Sequence, residues 1–92
     1  MQIEKSSSTV FTPLADGTAV LLNLDTLLYY SLNRTGAVIW EQIESGRAIQ
    51  VEELVGRTCE SFEVTREDAE VALEAFLRYL AELNFVSISP RP

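Results

Sequence analysis

At Asn33 the spacing of apolar residues changes from every second position to about every 3.6 positions, and this switch limits the chain to a sheet followed by helices. Upstream lie three short β-rich runs, residues 9–14, 18–24 and 28–32, separated by Asp16-Gly17 and by Asp25-Thr26. Asp-Gly is a strong hairpin signal, because glycine accepts the positive φ that tight turns require. Connections this short predict an antiparallel meander, with Pro13 confining the first strand to an edge or a strand end. Strict alternation in the third strand places Leu28, Tyr30 and Leu32 on one face, and Tyr29 and Ser31 on the other.

Downstream, Asn33 is a good N-cap for a first helix carrying Val38, Ile39, Trp40 and Ile43, which Gly46 can terminate. A second helix is expected over residues 51–60, with Val51, Leu54, Val55 and Cys59 turned inward. The third is the clearest. Thr65 and Asp68 resemble a capping box, and Ala69, Leu73, Phe76, Leu80 and Leu83 form its apolar stripe. Asn84 ends it, and residues 85–88 read as a short extended segment packing back. The expected fold is α+β: a three-stranded antiparallel sheet followed by three helices, resembling a winged helix-turn-helix. Residues 1–8 read as a flexible polar N-terminal tail, 9–88 as one domain and 89–92 as a C-terminal tail.

Composition then removes function classes. The 92 residues contain no histidine and one cysteine, Cys59, which excludes a Cys-His nucleophile pair, an internal disulfide and a plausible zinc site. Its four glycines are scattered, so there is no phosphate-binding loop. Carboxylate pairs such as Glu52-Glu53 and Glu67-Asp68 are what charged helix faces produce routinely. The chain reads as a non-enzyme, with no metal and no cofactor. A formal charge of −7 argues against a nucleic-acid partner, since such affinity comes from clustered Lys and Arg. No apolar run reaches the roughly 20 residues of a membrane helix, and no signal segment opens the chain, so no membrane is expected and a cytoplasmic location is the default.

The run Tyr29-Tyr30-Ser31-Leu32-Asn33-Arg34-Thr35-Gly36-Ala37-Val38-Ile39-Trp40 resembles the signature of the PqqD-like family, the RiPP recognition elements. These commonly show an aromatic pair, Leu-Asn-x-Thr-Gly and an apolar-Trp pair. Gly46-Arg47, Glu53-Leu54-Val55, Phe76-Leu77, Leu80 and Phe85-Val86 continue the likeness over about residues 9–88. The resemblance implies a domain that binds the leader of a ribosomally made precursor peptide and presents it to a modifying enzyme. The leader would add a strand to the third strand's edge, above a groove to the third helix. The form is most like the freestanding leader-binding proteins of lasso-peptide biosynthesis, which implies a cysteine leader peptidase as partner, with a cyclase acting afterwards. A carrier for the radical SAM enzyme of pyrroloquinoline quinone biosynthesis is the second reading. Many relatives place a glycine and a basic or polar residue before the aromatic pair, where this chain has Leu27 and Leu28.

The leader-binding residues expected on this basis are Leu27, Leu28, Tyr29, Tyr30, Ser31, Leu32, Ala72, Ala75, Phe76 and Tyr79. Each also has a plain structural reading. Tyr30, Leu32 and Trp40 suit the core; Tyr29 is either an exposed aromatic or an edge contact; Ala72, Ala75 and Tyr79 are either a helix flank or a groove wall. A winged-helix DNA-binding regulator is the competing class. It would need a recognition helix presenting Arg, Lys, Asn or Gln, whereas the third helix presents mainly Glu.

Overall fold

A computed structural model describes residues 1–90 and shows an α+β fold with antiparallel strands and three helices, arranged around two sheets where the sequence predicts one. The meander forms the first sheet. Its strands β2 (Thr9–Pro13), β3 (Ala19–Asn23) and β4 (Tyr29–Leu32) lie in the order β2-β3-β4, with Leu21 opposite Tyr30 and Ala19 opposite Leu32. The second sheet joins distant parts of the chain: β1 (Gln2–Lys5) lies between β5 (Ile49–Gln50) and β6 (Val86–Ser89).

The expectation of an N-terminal tail over residues 1–8 therefore fails. Gln2–Lys5 is the central strand of that sheet, and Ile3 is fully buried. Residues 1–8 carry too few apolar positions to announce a strand. The partners that satisfy this backbone, Val86–Ser89 and Ile49–Gln50, come from much later in the chain. At the other end, Ser89 closes β6 instead of opening a tail, while Arg91 and Pro92 lie outside the described residues.

Local signals set the helices. The Asn33 side chain accepts the Gly36 N–H at 2.8 Å and starts α1 (Arg34–Glu41). That helix ends at Gln42, four residues before Gly46, whose φ of 75° serves the following turn; Gly46 is not its cap. The second helix, α2 (Val51–Ser61), matches its expected extent closely. Thr65 Oγ1 accepts the Asp68 N–H at 3.1 Å to start α3 (Arg66–Glu82). At its far end Asn84 takes φ 63°, and the N–H groups of Phe85 and Asn84 donate to the Leu80 and Ala81 carbonyls, a Schellman closure that turns Phe85 into the core.

The buried stripe of α3 is Ala69, Leu73, Leu77 and Leu80. Leu77 takes the place expected of Phe76, which stays half-buried on the flank. Trp40 is buried as expected, and the Lys5 ammonium lies 4.7 Å from its ring centroid. Burial beside that ring pulls the Lys5 pKa below its ordinary value, against the opposing pull of the Glu41 carboxylate. Among the described residues no helix is long and apolar enough to cross a membrane.

Candidate functional site: an open strand edge above an apolar groove

Strand β4 is the outermost strand of its sheet, so one side of its backbone is paired and the other is open among the described residues. Pairing alternates along an antiparallel ladder, and one bond sets the phase. The Asn23 N–H donates to the Leu28 carbonyl at 2.9 Å, so that carbonyl and the backbone groups of Tyr30 and Leu32 are directed toward β3. Tyr29 and Ser31 therefore direct their N–H and C=O groups to the open side. Such an edge is a template for another extended chain.

Beneath the edge lies a groove of about 560 Å³ between β4, the first turn of α1, the end of α2 and α3. Tyr30 and Leu32 form one wall, Ala72 and Phe76 the other, and Phe62 and Val64 close the end where α2 passes into α3. Gly36 brings the first turn of α1 to this groove. A Cβ there would sit 3.3 Å from the capping Asn33 Oδ1 and in ordinary contact with Leu32 Cδ2 at 3.4 Å and Phe76 Cζ at 3.5 Å, one from each wall. Asp68 is the one carboxylate on the lining, at the N-terminal end of α3.

Of the ten expected residues, Tyr30, Ser31, Leu32, Ala72 and Phe76 line the groove together. Tyr29, 74% exposed, sits on the open edge. Tyr79 stacks edge-on against Tyr30 with ring centroids 5.3 Å apart, extending the aromatic wall beyond the groove. Leu27 and Leu28 are exposed at the β3–β4 turn, at the end of the edge and outside the groove. Ala75 is exposed on the flank of α3 and is not part of the lining. Sequence reasoning missed Gly36, Ile39, Phe62, Val64 and Asp68, which reach the groove from α1 and from both ends of the α2–α3 connection. The apolar pair Phe62 and Val64 in an otherwise polar connection was the available signal.

The outer face of α3 pairs its own charges: Arg78 with Glu74 at 2.9 Å and Arg66 with Glu70 at 3.5 Å. These exposed i,i+4 pairs make it a solvated face. The groove and edge offer backbone hydrogen bonds, apolar walls and one carboxylate. That is equipment for holding an extended peptide. Among the described residues no three His, Cys, Asp or Glu side chains are grouped to hold a metal ion.

A family model described as Coenzyme PQQ synthesis protein D (PqqD) matches residues 18–86. A solved structure of TbiB1 in complex with the TbiA(beta) leader peptide is similar at 32% identity and a TM-score of 0.82, covering 96% of this chain and 99% of that one. A lasso peptide synthetase B1 solved with its leader peptide shares the fold at 23% identity and a TM-score of 0.76, over 94% and 98% of the two chains. A search of curated protein sequences finds no match. Three-quarters of the chain falls within the family match, and the last two strands of the meander, the capped first helix and the groove all lie inside it: the chain belongs to the PqqD family of RiPP recognition elements, whose members are non-catalytic peptide-binding domains.

Proposed function

We propose that this protein binds the leader of a ribosomally synthesised precursor peptide as an added strand on β4, and delivers it to the leader peptidase of a lasso-peptide pathway. The observation that carries this reading is the open edge of β4, with Tyr29 and Ser31 unpaired toward it, lying directly above the groove to α3. In strand addition the backbone supplies affinity and pockets for alternate side chains supply specificity. Tyr30, Leu32, Ala72 and Phe76 would receive every second leader residue, while Tyr29 and Ser31 would flank the others. Support for leader binding comes from TbiB1, solved with a leader peptide and similar over nearly the whole of both chains, and the lasso pathway is suggested by the fold shared with lasso peptide synthetase B1. A cysteine peptidase is the expected partner, with the cyclase acting on its product.

Carriage for a radical SAM enzyme is the second reading, favoured by the description of the family model. The two separate on the choice of leader. A fluorescein-labelled leader from a lasso precursor of the same gene cluster is expected to bind with micromolar or tighter affinity, and a pyrroloquinoline quinone precursor is not. Replacing Tyr29 with proline removes one outward N–H and leaves the pairing to β3 intact, so affinity should fall roughly tenfold while the domain stays folded. Unchanged affinity of Tyr29→Pro would move the site off this edge.

A further inference from the structure

The β3–β4 turn holds a leucine in a backbone conformation that leucines avoid. Leu27 has φ 61°, in the left-handed region where a Cβ crowds the following carbonyl, and its side chain is 69% exposed. Folding therefore gains little from this side chain and bears the strain of its backbone. Glycine would remove the strain, and asparagine would tolerate it better. Leu28 beside it is 47% exposed.

The turn is not a loose loop. Asn23 is buried, and its Oδ1 accepts the N–H groups of Asp25 at 2.9 Å and Thr26 at 3.2 Å. Its Nδ2 donates to the Asn84 carbonyl at 2.9 Å, tying the turn to the end of α3. The Leu27 N–H donates to the Asn23 carbonyl at 2.7 Å. The two leucines are thus presented on a fixed frame, directly continuous with Tyr29, the first residue of the open edge.

We propose that Leu27 and Leu28 form a second recognition element for the leader: an apolar platform that takes an aliphatic or aromatic leader residue at the end of the strand that runs past Tyr29. This rests on the leader being an added strand on β4. Whichever way that strand runs, one of its ends passes the turn, and two further extended residues cover the roughly 7 Å from Tyr29 to Leu27. The strain has a use on this account. A side chain at the left-handed position stands clear of the fold, where only a bound chain can cover it.

The test is leader affinity by fluorescence polarisation, with urea unfolding as the control for folding. Leu27→Asn keeps a residue suited to the left-handed turn and removes the apolar surface. It should weaken binding about tenfold with little change in the unfolding midpoint, and Leu27→Met should restore most of the loss. Alanine at the contacting leader residue should cost a similar factor, and the two losses should not add. Wild-type affinity in Leu27→Asn overturns the platform while leaving the β4 reading intact. So does unchanged affinity with slower leader cleavage, which would assign the leucines to the enzyme. A folded wild-type protein that binds no leader overturns both.

Discussion

The two turns of the first sheet solve the same problem in opposite ways. At the β2–β3 turn the left-handed position belongs to Gly17, with φ 90°, and neighbouring groups are tied down. Asp16 Oδ1 accepts from the Thr18 N–H at 3.0 Å and hydroxyl at 2.6 Å, and the Arg34 Nε donates to the Asp16 carbonyl at 2.7 Å. At the β3–β4 turn an asparagine side chain again organises the backbone, yet the left-handed position belongs to Leu27. The first turn follows local preference and contributes no residue to the groove lining. The second breaks it beside the open edge. Local rules are broken where the surroundings over-determine the backbone and a ligand can use the result.

The sharpest way to break this comparison is to remove what over-determines the second turn. Asn23→Ala deletes three hydrogen bonds and strands the Asn84 carbonyl in a half-buried setting. The expected cost is about 3 kcal/mol in urea unfolding, with leader affinity falling as the edge loses its fixed end. A loss below about 1 kcal/mol would mean that the strand pairing alone holds Leu27 in place.

A smaller effect is expected from breaking the rule at the first turn. Gly17→Ala forces a Cβ into positive φ and to within 3.3 Å of Arg34 Cγ. It should cost about 1–2 kcal/mol of stability and leave leader affinity unchanged. The reverse exchange, Leu27→Gly, should hold or raise stability while lowering affinity. Were both turns to respond alike, the functional distinction between them would be lost.

Much of this was legible in the sequence, for reasons particular residues make clear. Asn33, Thr65 and Asp16-Gly17 act within a few residues of themselves, so their caps and turn could be read directly, and alternation alone placed Tyr29 and Ser31 outward. What sequence reasoning missed depends on distant partners. Gln2–Lys5 looks like a polar tail until Val86–Ser89 and Ile49–Gln50 are beside it. Phe62, Val64 and Gly36 join the groove only once α1 and the α2–α3 connection converge on Phe76. The exposed, strained Leu27 was visible only as a departure from the pattern that the family resemblance implies, and its positive φ is a conformation that glycine adopts more readily.

The smallest expected effect comes from charge at the first turn. Hydrogen bonds from the Thr18 hydroxyl and N–H favour the ionised form of Asp16 and hold its pKa below the ordinary aspartate value. A carboxyl whose pKa is lower folded than unfolded stabilises the fold above its unfolded pKa, and that contribution fades as pH falls through the folded one. Asp16→Asn keeps an acceptor oxygen but removes the charge. The variant should therefore unfold at slightly lower urea than wild type at neutral pH. The gap should close as pH drops below the usual carboxylate range, because the wild-type side chain then becomes neutral too. Since Asp16 is fully solvated, the whole effect should shrink in high salt. Leader affinity should not follow it, because the turn lies at the opposite end of the hairpin from Leu27; a parallel loss of affinity would couple the two turns and erase the contrast between them.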